Sequence, residues 1–176
     1  MKKGCITFLL SGIIMVAAVC AGVFSPSTST PKEFLRIHIR AHSDEEEAQS
    51  LKYLVRDALV DYLTPLVATA DSKDEAIALI QERALELEEV ANAVLLRQFA
   101  GYTARVFVRR EEFPFRTYGE VSLEAGVYDA VIVELGEAKG QNWWCVVYPP
   151  LCFAGEGGVK YKSLILEKIA AWRRGT

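Results

Sequence analysis

The sequence predicts an α+β domain, an antiparallel sheet packed by two long amphipathic helices and a short C-terminal helix, preceded by an N-terminal signal or anchor segment. Three observations predict it. Apolar residues alternate with period two from Leu35 to His42, recur at helical spacing from Ser43 to about Gly101, and return to strand patterning between Tyr102 and Tyr148. The order strand, two helices, several strands, helix is that of helices packed on an antiparallel sheet.

Lys2 and Lys3 precede a stretch, Cys5 to Phe24, that carries no charged residue. Such a stretch directs export, because its burial in hydrocarbon is favourable while the lysines stay on the cytoplasmic side. A helix that crosses a bilayer needs about 20 apolar residues. This segment stands at that limit, diluted by Thr7, Ser11 and Gly12. Residues 1–24 therefore read either as a signal peptide cleaved after Ala21 or as a retained membrane anchor. A lipid-modified Cys20 fits less well, since Val19 is bulky where a small residue is expected. Residues 25–32 are polar and Pro-flanked, as in a linker. An extracytoplasmic domain follows over 33–153, then a short linker and C-terminal helix over 154–176. Without Lys2 and Lys3 the chain holds 18 basic against 23 acidic residues, a net of −5. That balance argues against a nucleic-acid partner, since no basic stripe is present to displace counterions.

In the first strand, Leu35, Ile37, Ile39 and Ala41 point one way and Arg36, His38, Arg40 and His42 the other. This is a half-buried strand with a basic, wet face. Ser43 with Glu46 three residues on forms a capping box, and the helix behind it carries Leu51, Leu54, Ala58, Tyr62 and Leu66 on one stripe until Pro65 ends or kinks it. Ser72 with Glu75 starts a second helix, whose stripe of Ile77, Ile80, Ala84, Leu87, Val94 and Leu95 runs towards Gly101. Strands follow at Tyr102–Val108, Val127–Leu135 and Trp143–Tyr148, with a break at Phe113-Pro114-Phe115 and a turn at 136–140. The last two, so shortly joined, should form an antiparallel hairpin. Leu164, Ile165, Ile169 and Trp172 mark the terminal helix.

Few residues suggest chemistry. His38 and His42 on one strand face would lie about 13 Å apart, too far to share a metal, and no further histidine or Cys-x-x-Cys is present. We expect neither a metal nor a cofactor. Gly136 and Gly140 lack the Gly-Lys-Ser/Thr of a phosphate loop and link two strands. Asp57 and Asp61, beside Lys52 and Arg56, read as surface ion pairing. Cys145 and Cys152 form a disulfide candidate on the exported side, provided that Pro149-Pro150 turns the chain back; two buried thiols are the alternative. A nucleophilic Cys145 with a histidine base would make a Cys-His hydrolase, but its apolar strand disfavours a thiolate.

The run Asn142-Trp143-Trp144-Cys145-Val146-Val147-Tyr148-Pro149-Pro150-Leu151-Cys152-Phe153 resembles the signature of the stage II sporulation protein R family. Leu35 through Asp44, and Lys52-x-x-Val55-Arg56-Asp57-Ala58, resemble that family's opening strand and first helix. The chain departs from the pattern at His42, at Ala138 and in the short Ala154–Gly158 segment. The resemblance implies a non-enzymatic signalling protein, made in the forespore and exported into the space between the two membranes. There it would activate a membrane-embedded aspartyl protease that processes pro-sigma factor E in the mother cell. Candidate partner-binding residues are then Arg36, His38, Arg40 and Asp44, with Trp143 and Trp144, of which one should be buried and one available. A Cys-His hydrolase and a structural cell-envelope protein are the competing classes.

Overall fold

Strand β1 (Leu35–Arg40) opens the fold and lies inside its main sheet. The computed structural model describes residues 33–118, 121–153, 170–172 and 174. Three helices follow β1: α1 (Glu46–Ala68), α2 (Lys73–Glu82) and α3 (Ala84–Arg97). Then come β2 (Ala104–Phe113), β3 (Arg116–Tyr118), β4 (Val121–Leu123), β5 (Gly126–Leu135) and β6 (Asn142–Tyr148), with a 3-10 turn at Leu151–Phe153. The α+β class is as expected.

The sheet differs from expectation in two ways. Its order is β2-β5-β1-β6, with β1 parallel to β5 and antiparallel to β6, so it is mixed and not purely antiparallel. The β5–β6 hairpin does not form, because β1 lies between the two strands. Skipping one strand needs a link of only about 10 Å, which the segment 136–141 covers easily. A short connection therefore did not oblige the two strands to pair. The turn packs tightly over the end of β1. A Cβ on Gly140 would lie 2.0 Å from the Ser43 carbonyl oxygen, and Gly136 adopts φ +55° against His42.

The helices also depart in detail. The buried side of α1 is Leu51, Val55, Leu59, Leu63 and Val67, one residue round from the expected stripe, and Leu54 is exposed. α1 starts after Glu45, without a side-chain cap, so the Ser43 box is not made. The Ser72 cap is made, with the Glu75 amide donating to Ser72 Oγ at 3.1 Å. Pro65 is accommodated inside α1, three residues before its end. The single second helix proves to be two, separated at Arg83, which leaves helical geometry with φ −109° and ψ 19°. The stretch holds no glycine or proline there, so nothing local announces the break.

All three helices cover one face of the sheet, where Leu35, Ile37, Ile39, Val131, Val133, Cys145 and Val147 join Val55, Leu59, Ile80, Leu87 and Leu95 in the main core. A second, smaller core lies on the opposite face, built from Phe34, Phe113, Tyr128, Ala130, Ile132 and Val146 under Val121 and Leu123 of the β3–β4 hairpin. Trp172, from the helical residues 170–172, meets Phe34 edge-on at 5.4 Å. Leu164, Ile165 and Ile169, like the export segment and linker, lie outside the described residues. Among the described residues no helix is long and apolar enough to cross a membrane.

Candidate functional site

The alternating side chains of β1 place Arg36, His38 and Arg40 together on the sheet face away from the helices. That face is not wet. Arg36 is fully buried and His38 is 4% exposed. The reason is a cover that the β1 sequence alone does not reveal: the β3–β4 hairpin at one end and a lattice of counter-charges at the other.

Each of the three is accommodated differently. The Arg36 guanidinium lies 4.2 Å from the centroid of Phe113 and 4.9 Å from that of Tyr128, and its Nη2 donates to Tyr118 Oη at 2.8 Å. Its Nε and Nη1 have no hydrogen-bond partner among the described residues, so ring faces carry most of its compensation. Burial pushes the Tyr118 and Tyr128 phenols up, partly offset by Arg36, so both stay neutral; Tyr118 accepts from Arg36 and Tyr128 donates to the Glu124 carbonyl at 2.6 Å. His38 Nδ1 donates to Glu111 Oε1 at 2.5 Å. Small Ala130, opposite Arg36 on β5, leaves room for Glu111 to reach across from β2. Arg40 bridges Glu111 at 2.9 Å and Glu134 at 3.0 Å, and Arg109 and Arg105 join from the rim. Burial pushes the Glu111 carboxyl up, but the His38 hydrogen bond and the nearby Arg40 outweigh it and hold it below the usual carboxylate range.

The other candidates are scattered. Trp144 stays on the same face, half-buried, 5.3 Å from the His38 ring and 4.5 Å from the Arg116 guanidinium. Trp143 faces the helix side at the sheet edge, also half-buried, with the Arg56 guanidinium 5.7 Å away. Adjacent tryptophans do point to opposite faces, yet neither is fully buried. Asp44 sits at the far end of the sheet, where its carboxylate accepts from the Gln141 amide at 2.7 Å. His42 stacks on Tyr102 at 4.3 Å, apart from His38. Asp57 pairs with Arg56 at 2.6 Å, whereas Lys52 is buried and donates to Gln49 and the Gln141 carbonyl. Burial lowers the Lys52 pKa.

Cys145 and Cys152 are bonded as a disulfide, with Cα atoms 5.8 Å apart. Pro149-Pro150 does turn the chain back. Cys145 lies on the helix side, opposite Ile37, while His38 lies on the other face. A Cys145–His38 pair is therefore not assembled, and a bridged sulfur offers no thiolate. No cluster of three His, Cys, Asp or Glu side chains able to hold a metal occurs among the described residues.

The counter-charges Glu111 and Glu134 and the cage of Phe113, Tyr118 and Tyr128 were missed from sequence. The alternation of Arg109, Glu111 and Phe113 beyond Val108 was the one available signal, since it extends β2 by five residues. The face as built is a buried lattice of charges and rings with one aromatic–cation pair, Trp144–Arg116, at its β6 edge, and the Trp143–Arg56 pair lies at the same edge on the helix side. Such an arrangement suits contact more than bond-making.

A family model described as stage II sporulation protein R matches residues 31–157. The chain is 35% identical over 123 residues to the Stage II sporulation protein R of Bacillus subtilis (strain 168), an alignment covering 70% of this chain. It spans only 55% of the length of that relative. No solved structure matches. The matched region holds the opening strand, the helices, the tryptophan strand and both bridged cysteines, and the chain belongs to the stage II sporulation protein R family.

Proposed function

We propose that this chain is an exported sporulation signal that activates a membrane-embedded aspartyl protease, triggering processing of pro-sigma factor E in the mother cell. The observation that carries this reading is the family match over residues 31–157. The uncharged stretch from Cys5 to Phe24 supports export to the space between forespore and mother cell, with the segment either cleaved or kept as an anchor. The disulfide supports an oxidising location outside the cytoplasm. In this role the domain acts by contact and needs no catalytic group of its own.

Of the six candidate contact residues, Arg36 and His38 are internal and would act by holding the fold. Arg40, Trp143, Trp144 and Asp44 keep surface and could touch a partner. The test is co-expression of the full chain with the protease and pro-sigma factor E in a non-sporulating host. Cleavage of the precursor should depend on this chain. A precursor that stays intact in its presence, with the protease demonstrably expressed, would remove the reading.

A further inference from the structure

Strand β2 is guarded along the first half of its outer edge and open along the second. It ends the order β2-β5-β1-β6, so one side of its backbone has no strand beside it among the described residues. At Ala104 a side chain of α3 stands in for that strand. Asn92 donates to the Ala104 carbonyl at 3.2 Å and accepts from the Ala104 amide at 2.7 Å. Two residues on, the Glu88 carboxylate accepts from the Val106 amide at 3.0 Å. Groups that point to one side recur at every second residue of a strand. Val108, Arg110 and Glu112 therefore also turn their amides and carbonyls outwards, in an unshifted register with Val131, Asp129 and Val127 of β5. Those outward groups make no hydrogen bond among the described residues.

The open half carries Arg110 and Glu112, both exposed, on the same side of the sheet as Val106 and Val108. Neither makes an ion pair among the described residues. Asp129, the cross-strand neighbour of Arg110, is held by Lys73 at 2.5 Å. An exposed edge is a template for another strand, and proteins commonly guard it with charge. Charges of one sign would repel a second copy. Opposite charges two residues apart do the reverse, because an antiparallel copy sets each against its opposite.

One register satisfies the open half. With Glu111 on a two-fold axis, Arg110 of each copy lies directly opposite Glu112 of the other. Both residues have outward backbone groups, so each such pair exchanges both of its backbone hydrogen bonds. Moving the axis to Arg110 or to Glu112 sets like charges opposite each other, which is unfavourable. On the other face Glu111 meets its own copy. Its carboxylate, however, is turned inward onto His38 and Arg40 and is 15% exposed, so its charge is already matched.

We propose that the open half of β2 pairs with β2 of a second copy of this chain, antiparallel about Glu111, with reciprocal Arg110–Glu112 contacts fixing the register. The two four-stranded sheets then become one sheet of eight strands. The pairing stands independently of the proposed function and is compatible with it. β6, with Trp143 and Trp144, remains at both outer edges of the joined sheet, roughly 34 Å apart at the usual strand spacing. Those candidate contact residues therefore stay open in the pair.

The test is sedimentation of the full chain in nonionic detergent at low ionic strength, over a range of concentrations. The wild type should show a concentration-dependent dimer. Arg110→Glu and Glu112→Arg, each alone, should weaken it about ten-fold or more, since both cross-strand contacts become repulsive. Both side chains are exposed, so each variant should melt like the wild type. Mixed in equal amounts, the two variants should associate as tightly as the wild type, because every contact in the mixed pair again joins opposite charges. The double variant, with the two charges exchanged, should do the same. Association through the uncharged Cys5–Phe24 stretch would not respond to these charges. A wild type that stays monomeric at its highest soluble concentration overturns the proposal, as does a dimer that both single variants keep. A mixture and a double variant that associate no better than the single variants also overturn it.

Discussion

Along β1, Leu35, Ile37 and Ile39 turn towards the helices, while Arg36, His38 and Arg40 turn towards the β3–β4 hairpin and the carboxylates of β2 and β5. Both sides are largely dry at Ile37 and Arg36, which are 1% and 0% exposed. On the helix side burial itself is the favourable term, roughly proportional to apolar area. On the other side burial is unfavourable until each polar group is matched, by ring faces for Arg36 and by carboxylates for His38 and Arg40. The lesson is one of tolerance. The first side accepts any apolar side chain of suitable volume, whereas the second depends on particular partners far away in sequence.

The largest effect should come from breaking the equality of the two sides. Arg36→Ala removes a fully buried side chain from between Phe113 and Tyr128 and leaves the Tyr118 hydroxyl without its partner. It should cost about 3 kcal/mol, as much as a large-to-small change in the main core. Arg36→Met keeps most of the volume and removes the buried charge, so it should cost less. Urea denaturation of both variants and of Ile37→Ala decides this. An Arg36→Ala midpoint equal to the wild type would mean that the face is solvated after all.

This contrast also explains what could be read from the sequence. The helix-side pattern of β1, the strands β5 and β6 and the Ser72 cap are local, so periodicity and capping chemistry identify them. The burial of Arg36 is not local, because Phe113, Tyr118 and Tyr128 lie more than seventy residues further on. A strand that alternates apolar with basic residues looks half-wet unless its cover is known. The insertion of β1 between β5 and β6 is equally a long-range choice, and it made the sheet mixed. The break at Arg83 and the rotated stripe of α1 were set by tertiary packing, without any breaker residue to announce them. The disulfide was conditional on the path after Tyr148, which only the folded chain supplies.

A smaller effect should sharpen the helix side. The Cys145–Cys152 bridge closes a short loop that returns the chain from the β6 edge to the main core. Loop-closure entropy for so short a ring corresponds to about 2.5 kcal/mol. Cys145→Ser, Cys152→Ser and the double variant should all lose that amount, since each one opens the same ring. Thermal melts with and without reductant measure it. A wild-type melt that reductant leaves unchanged would show that the bridge contributes nothing to stability.

The last and smallest effect tests whether the charged side is held by ionisation and not merely by shape. Glu111 receives His38 Nδ1, Arg40 and Arg109, and its side chain is 15% exposed. Burial pushes its pKa up, but the His38 hydrogen bond, Arg40 and Arg109 together bring it below the ordinary value of 4.5. Between the folded and the unfolded pKa, the unfolded chain binds the extra proton, so stability rises with pH through that window. The contribution is therefore fully present above the unfolded value and is lost as pH falls through the folded one. Glu111→Gln keeps the size and removes the charge, so it should be less stable by about 1–2 kcal/mol near pH 5.5. That gap should shrink steadily from there towards pH 3, as the wild-type carboxyl begins to take up its proton. Urea midpoints of the two proteins between those limits measure it, and other carboxylates cancel in the difference. A gap that stays constant with pH would assign the loss to packing geometry, leaving Arg36 as the one charge on this face whose burial depends on its partners.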